Sequence, residues 1–264
     1  NNVVLIDKYP TFNDDADNYI KSNYNDFLIF VRSSYANISG NVSFSELFEY
    51  QNKITSFIKQ LNADEYNCEG MLINSIINEL KPNTNLFIGN SMAIREADDF
   101  TVNTEGKLNI YCNRGASGID GVISSALGMS HNSVNKNSLL LIGDVSFYHD
   151  MNGLLASRYE ANLTIVVINN SGGGIFSFLP IAESNVENFQ QYWTTDTELQ
   201  INKVADLYKC KYYFTKTSKE LENSIKESFK NKGVQIIEVK TTIRDNIIAH
   251  NRLRDKIKAA LSDD

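Results

Sequence analysis

The sequence is poor in the residues that build disulfide or metal frameworks. Its 264 residues include three cysteines and three histidines, and neither set has the close spacing of metal ligands. The cysteines, Cys68, Cys112 and Cys210, are also odd in number. We therefore expect neither a disulfide scaffold nor a CxxC metal site, and reduced thiols in a cytoplasmic protein are the simpler interpretation.

Basic clusters and long apolar runs are absent as well. Lys and Arg number 25 against 32 Asp and Glu, which leaves a formal charge of -7, and the basic residues are scattered. This charge disfavours nucleic acid as a partner. Apolar stretches such as residues 139–142 and 165–168 are too short to span a membrane. No N-terminal segment has the features of a secretion signal.

The length and the first residues suggest a part of a longer polypeptide. The chain starts at Asn1 without a methionine, directly before the strand-like residues 3–6. Residues 1–62 contain two predicted strands and one long helix, which is too little for an independent core. We expect a boundary near residues 62–67. Residues 1–63 would then be the tail of a middle domain with a linking helix, and residues 64–264 a complete domain.

Short apolar runs alternate with helical patterns along the chain, which predicts an α/β fold with a mostly parallel sheet. Several of the runs are apolar throughout, as is typical of strands that are covered on both faces. The predicted strands are residues 3–6, 27–31, 86–88, 109–111, 139–142, 164–168, 212–214 and 235–239. The predicted helices are residues 47–61, 72–80, 119–130, 149–160, 220–230 and 246–261.

Polar and glycine-rich clusters follow four of these strands, at residues 89–91, 113–120, 143–146 and 169–174. Open α/β sheets bind ligands at these strand ends. Asp144 and Asn170 follow consecutive strands, and a glycine turn offers a free carbonyl beside them. Such hard oxygen ligands suit Mg²⁺ completed by the oxygens of a diphosphate. The helix predicted to begin near His149 would direct its N-terminal amides to the same place.

Other phosphate-binding motifs do not fit the sequence. There is no GxxxxGK[ST] segment, and residues 172–177 do not match GxGxxG. The segment Gly143-Asp144-Val145-Ser146, followed by the Asn169-Asn170 pair, instead resembles the thiamine-diphosphate fingerprint. The surrounding segments are more specific. They are GNSMAIR (89–95), NRGASGIDG (113–121), GDVSFYHDMNGL (143–154) and INNSGGGIFSFLP (168–180).

Together these segments resemble the C-terminal, diphosphate-binding domain of the MenD family, the 2-succinyl-5-enolpyruvyl-6-hydroxy-3-cyclohexene-1-carboxylate synthases of menaquinone biosynthesis. The likeness runs from about Cys68 to the end of the chain, and residues 1–62 fit the end of the family's middle domain only loosely. The resemblance implies a three-layer thiamine-diphosphate-binding fold. It also implies thiamine diphosphate and Mg²⁺ (or Mn²⁺) as cofactors, and a transferase that forms a homodimer or tetramer.

The resemblance implies a role for individual residues as well. The metal ligands would be the side chains of Asp144 and Asn170 and the carbonyl of Gly172. Further cofactor contacts would come from Ser117, Gly118, Ile119, Gly143, Val145 and Ser146. Among these, Ile119 would be the apolar wedge that bends the cofactor. Substrate carboxylates would meet Ser91, Arg95 and Arg114, and the substrate ring would meet Ile175, Phe176 and Leu179.

The implied reaction decarboxylates 2-oxoglutarate and adds the product to isochorismate. The family activates its cofactor with a glutamate of an N-terminal domain, which these residues do not include, so we expect the chain alone to be inactive. Two alternatives share the metal motif: another thiamine-dependent decarboxylase or acetohydroxy-acid synthase, and a non-catalytic thiamine-diphosphate-binding module. Two arginines and the NRGASGIDG segment favour substrates rich in carboxylates, although Arg95 could instead form a surface ion pair with Glu96 or Asp98.

Overall fold

The computed structural model describes residues 4–7, 18–23, 25–29, 45–60, 68–102, 107–133, 136–184 and 187–262. The chain divides into two compact units, Asn1–Phe48 and Glu49–Asp264. The boundary predicted at residues 62–67 lies outside the described residues, so the division into residues 1–63 and 64–264 stays a prediction. Among the described residues, no helix is long and apolar enough to cross a membrane.

The first unit contains a small parallel sheet of β1 (Val4–Asp7) and β2 (Asn18–Lys21). The strand predicted at residues 27–31 is wrong, because residues 25–29 are helical and Val31 lies outside the described part of the chain. Asn23 caps this helix, since its side-chain oxygen accepts the N–H of Asp26 at 2.9 Å. A short apolar run has no periodicity that distinguishes a strand from a helix. Here the Asn23 cap favours the helix.

The second unit is built on six strands that all pair in parallel, in the order β4-β3-β5-β6-β8-β7. Their bounds are β3 Asn85–Ile88, β4 Asn109–Tyr111, β5 Ser138–Gly143, β6 Leu163–Asn169, β7 Lys211–Thr215 and β8 Val234–Lys240. Each overlaps a predicted strand. The central strands are buried on both faces, as their continuous apolar sequences predicted.

Helices cover both faces of this sheet, which confirms the three-layer α/β prediction. From residue 45 onward, the α-helices of the described residues are α1 Ser45–Gln60, α2 Glu69–Glu79, α3 Met92–Phe100, α4 Val122–His131, α5 Asp144–Asp150, α6 Ile201–Tyr208, α7 Ser218–Ser228 and α8 Ile243–Ser262. One hydrophobic core packs α4, α5 and α6 against the sheet, and a second packs α2, α3 and α7 on the opposite face. Neither β2, α3 nor α6 was predicted.

The helix predicted at residues 149–160 is wrong in its start and in its type. The α-helix α5 already begins at Asp144, immediately after β5, and residues Met151–Arg158 form a 3₁₀ helix. The polar residues Asp144 and Ser146 suggested a loop, but they occupy the first turn of a helix. Polar side chains are common in a first turn, because its backbone N–H groups have no partner within the helix.

The strand order places a switch point beside β3. The chain pairs β4 on one side of β3 and then crosses over to pair β5 on the other side. Ligands of open parallel sheets bind in the crevice that such a reversal leaves at the carboxyl ends of the strands. The segments after β3 and β5 therefore border the expected position of a site.

Two glycine variants test the packing of the second unit. A methyl group on Gly70 in α2 would overlap the ring of Phe100 in α3, which packs edge-on against His250 with ring centroids 5.0 Å apart. We expect Gly70→Ala to destabilise the protein by about 1–3 kcal/mol. Gly128 is an exposed residue of α4 with no atom within 4 Å of an added Cβ. As the matched control, Gly128→Ala should stabilise by about 0.5–1 kcal/mol.

Urea unfolding of both variants measures these changes. Equal midpoints for Gly70→Ala and the wild type would contradict the close contact between α2 and α3.

Candidate cofactor site

A cavity of about 250 Å³ opens at the carboxyl ends of β3, β5 and β6. Ten of the residues singled out in the sequence line it: Ser91, Ile119, Gly143, Asp144, Val145, Ser146, Asn170, Gly172, Ile175 and Phe176. They come from four separate segments of the chain, which the parallel sheet brings to one edge. The cavity therefore unites most of the predicted cofactor residues with part of the predicted substrate set.

Asp144 is a buried carboxylate at the direct junction of β5 and α5, with 3% of its surface exposed. Its Oδ2 accepts the backbone N–H of Gly172 at 2.8 Å. Burial raises the pKa of Asp144 from its ordinary value of 3.8 to about 7, although the backbone hydrogen bonds and the charge of Lys240 act in the opposite direction. A buried carboxylate of this kind favours a proton or a cation beside it.

Asn170 lines the same cavity and carries a buried acceptor without a partner. Its side-chain Oδ1 is buried and accepts no hydrogen bond, whereas its Nδ2 donates to Oε1 of Glu69 at 2.8 Å. A buried acceptor without a partner costs free energy on the order of 1–3 kcal/mol. A cation at this position would remove that cost.

The donor set fits Mg²⁺ or Mn²⁺. Asp144 supplies a carboxylate and Asn170 a free amide oxygen. The carbonyl of Gly172 accepts the N–H of Gly174 at 3.0 Å and keeps a second lone pair. These are hard oxygen ligands with a single negative charge. Among the described residues, no group of three or more His, Cys, Asp and Glu could hold a metal ion, so a metal bound here depends on amide and carbonyl oxygens.

The loop after β6 requires glycine at position 172. Gly172 has a φ of 145°, and an added Cβ would lie 2.5 Å from the carbonyl oxygen of Thr194. The same carbonyl accepts the N–H of Gly173 at 2.5 Å, which holds the loop against the π-helical turn Gln190–Thr194. The turn therefore sets the position of the Gly172 carbonyl.

Asn90 is an organising residue to which the sequence assigned no role, although it lies in the cluster at residues 89–91. It is buried, and its Nδ2 donates to the carbonyl oxygens of Asn113 at 3.0 Å and Gly118 at 2.6 Å. It thereby ties the segment after β3 to the segment after β4. A second tie holds Ile119, whose carbonyl accepts the hydroxyl of Ser146 at 2.9 Å. An asparagine between glycine and serine at a strand end was the signal available for Asn90.

Other residues that line the cavity had no assigned role. Glu69 and Thr195 lie outside the quoted sequence segments, whereas Met92, Ala93, His149, Gly173 and Gly174 lie within them. Glu69 had a signal of its own, as an acidic residue beside the apolar face of a predicted helix. Five residues expected at the site do not line the cavity: Ser117, Gly118, Leu179, Arg95 and Arg114. Gly118 is nevertheless held nearby through Asn90, and Leu179 is exposed.

Arg95 and Arg114, which the resemblance assigns to the substrate carboxylates, do not line the Asp144 cavity. Both line a neighbouring cavity of about 1140 Å³, beside β4. Arg95 lies one helical turn into α3, and its Nη1 donates back to the carbonyl of Ser91 at 2.7 Å. Arg114 donates to Oδ1 of Asn90 at 3.2 Å. The two arginines therefore lie together behind the Asn90–Ser91 segment, which borders the Asp144 cavity.

Comparison with known proteins identifies the family of the chain. Residues 97–239 match the family described as thiamine pyrophosphate enzyme, C-terminal TPP binding domain. The 2-succinyl-5-enolpyruvyl-6-hydroxy-3-cyclohexene-1-carboxylate synthase of Listeria innocua is 46% identical over 73% of this chain and 33% of its own length. The synthase of the same name from Lysinibacillus sphaericus is 34% identical over 98% of this chain and 45% of its own length.

The chain thus spans less than half the length of these curated relatives. Among solved structures, benzoylformate decarboxylase from Polynucleobacter necessarius matches with a TM-score of 0.54 at 20% identity, over 66% of this chain and 33% of that one. At that identity the likeness concerns the fold alone. The chain therefore belongs to the thiamine pyrophosphate enzymes, as a C-terminal TPP binding domain, and its resemblance to the MenD family is confirmed.

Proposed function

We propose that the protein is the cofactor-binding part of a thiamine-diphosphate- and Mg²⁺-dependent synthase of the MenD type. The reaction is decarboxylation of 2-oxoglutarate and addition of the product to isochorismate. The relatives named as this synthase and the four sequence segments that led to the same family support the proposal. When bound, thiamine diphosphate supplies the electron sink for the reaction.

The observation that carries the proposal is the pair formed by Asp144 and Asn170. One presents a buried carboxylate and the other a buried amide oxygen without a partner, at the ends of adjacent strands and in one cavity. We assign Mg²⁺ (or Mn²⁺) to Asp144, Asn170 and the Gly172 carbonyl. Because these ligands carry one negative charge, the anionic diphosphate would balance the charge of the ion.

The remaining cavity residues would orient the cofactor and exclude water. Ile119 is an apolar side chain whose backbone is held by Ser146, and Ile175 and Phe176 line the cavity beside the metal ligands. The cavity volume of about 250 Å³ is below the roughly 300–1,000 Å³ of complete small-molecule sites. We propose that another domain of the intact protein, which would be a homodimer or tetramer, completes the site.

For the substrates, we assign the carboxylates to the surface that Ser91, Arg95 and Arg114 border. Two guanidinium groups in one cavity suit a pair of acidic substrates. Ser91 lines the Asp144 cavity, and its carbonyl accepts from Arg95, which lines the neighbouring cavity. The substrate ring would contact Ile175 and Phe176, with the exposed Leu179 closer to the rim.

Removal of the charged metal ligand tests the cofactor assignment. In the full-length protein, Asp144→Ala should weaken Mg²⁺-dependent binding of thiamine diphosphate at least tenfold, since it removes the anionic ligand of the three. Calorimetry with Mg²⁺ and with EDTA measures this. Asp150→Ala is the matched control, because Asp150 lies on the same helix but bonds Ser124 away from the cavity. Equal heats with Mg²⁺ and EDTA in the wild type would refute the metal site.

The same carboxylate predicts how stability depends on pH without a cation. Burial raises the pKa of Asp144 to about 7, so the folded protein favours the protonated side chain. The contribution of Asp144 to the free energy of unfolding is therefore fully present below about pH 4 and is lost as the pH rises toward 7. Asp144→Asn keeps an acceptor for Gly172 and removes the charge. In EDTA above pH 7 we expect this variant to be more stable than the wild type by about 1–4 kcal/mol, with no difference near pH 4.

Melting temperatures across that pH range, measured in EDTA, give the comparison. Parallel pH profiles for the two proteins would show that burial of Asp144 is not costly.

Conservative exchange of the arginines separates a substrate role from a structural one. Arg95→Lys and Arg114→Lys keep the charge but lose the planar, two-pronged geometry that matches a carboxylate. We expect kcat/KM of the full-length enzyme to fall by an amount that corresponds to about 1–3 kcal/mol of activation free energy. The melting temperature should be nearly unchanged. A lower melting temperature with unchanged kcat/KM in both variants would show that the arginines have a structural role and do not bind substrate.

A further inference from the structure

We propose that Glu69 is the positioning residue of the metal site: it accepts the amide hydrogens of Asn170 and thereby turns the Asn170 oxygen toward the cation. The inference rests on the proposed function, because it assigns a task to a residue behind the proposed metal ligand. Glu69 belongs to none of the sequence segments that indicated the cofactor, and it precedes Asn170 by 101 positions.

The carboxylate of Glu69 is held firmly at the first residue of α2. It is 2% exposed, and its Oε1 accepts from Asn170 Nδ2 at 2.8 Å and from the hydroxyl of Thr241 at 2.9 Å. The backbone N–H of Glu69 donates to Oδ1 of Asn246 at 3.0 Å. Hydrogen bonds from the segment after β8 and from α8 thus fix the residue, so its position does not depend on the Asn170 loop alone.

An asparagine ligand needs such a partner because the two ends of its amide have nearly the same shape. Only the oxygen can bind a cation, and half a turn of the amide would present the NH₂ group instead. A carboxylate accepts hydrogen bonds but donates none, so facing Glu69 favours the NH₂ end and disfavours the oxygen. The result is the observed arrangement, in which Asn170 Oδ1 is buried and unpartnered.

Close packing also restrains the Asn170 amide on another side. A Cβ added to Gly174 would lie 3.0 Å from Asn170 Nδ2, so the glycine leaves just enough room for this end of the side chain. Partners behind the ligands of metal sites commonly have this orienting role.

The preceding residue provides an internal comparison. Asn169 makes the same kind of contact, since its Nδ2 donates to Oε1 of the buried Glu238 at 2.7 Å. The oxygen of Asn169, however, accepts from the N–H of Ser171 and from Lys240 Nζ, both at 3.1 Å. Two consecutive asparagines thus donate to two buried glutamates, but of these two pairs only that of Asn170 and Glu69 leaves the asparagine oxygen without a hydrogen-bond partner.

The test measures Mn²⁺ binding in the presence of thiamine diphosphate by electron paramagnetic resonance of the full-length protein. Glu69→Leu removes the acceptor, and we expect the Kd for Mn²⁺ to rise by about 10–100-fold. Glu69→Gln retains one acceptor oxygen and should stay within about threefold of the wild type. The matched control is Glu238→Leu, which should lower the melting temperature but change the Kd by less than about threefold.

A swapped pair keeps the test informative if Glu69→Leu fails to fold. Asn170→Asp alone places two carboxylates against each other and should weaken Mn²⁺ binding. Adding Glu69→Gln restores the hydrogen bond with donor and acceptor exchanged, and it leaves an aspartate oxygen for the metal. We expect the double variant to bind Mn²⁺ at least tenfold more tightly than Asn170→Asp.

The possible outcomes distinguish the positioning role of Glu69 from the existence of the metal site. Unchanged Mn²⁺ affinity in Glu69→Leu, or equal losses in Glu69→Gln and Glu69→Leu, would overturn the positioning role and leave the metal site standing. Absence of rescue in the double variant would overturn the role as well. A wild-type protein that binds thiamine diphosphate equally well with and without Mn²⁺ would overturn the proposed function and, with it, the task of Glu69.

Discussion

The buried carboxylate of Asp144 imposes the constraint on which the rest of the site depends. It lies where β5 passes directly into α5, and removal from water raises its pKa to about 7. The Gly172 N–H compensates part of this cost, and that bond in turn requires the loop after β6 to bend sharply at a residue with a φ of 145°. The junction of β5 with α5 and the loop after β6 thus form the cavity around a carboxylate that lines it but is largely buried.

Near Asp144, two buried glutamates accept hydrogen bonds from the side chains of two buried or half-buried asparagines. Glu69 orients Asn170, and Glu238 orients Asn169 while also accepting the hydroxyl of Tyr212. Such pairs cost desolvation, and each is satisfied by hydrogen bonds from more than one element. This differs from the sheet behind them, where β5 and β6 contribute apolar side chains buried on both faces. The polar residues of the site thus lie at the carboxyl ends of strands whose side chains form the apolar core.

Much of this scaffold could be predicted from local patterns. The six strands of the large sheet were recognisable because short apolar runs end in polar, glycine-rich clusters. The apolar run at residues 27–31 shows the limit of this signal: residues 25–29 are helical, with Asn23 as the cap. The start of α5 at Asp144 shows a second limit. Because β5 passes into α5 without a loop, Gly143 is the one breaker residue between the two patterns, and the polar first turn of the helix resembles a loop.

The sequence by itself determined the family and the parallel α/β architecture, because these depend on short local patterns. The same patterns pointed to Asp144, Asn170 and Gly172, which line one cavity in the structure. The tertiary structure decided which distant residues join them. Glu69 reaches Asn170 from a helix 101 positions earlier, and Asn90 ties two loops together. It also placed Arg95 and Arg114 in a neighbouring cavity. Side-chain directions around a crevice depend on how helices pack on the sheet, and that packing is a property of the whole domain that no local segment encodes.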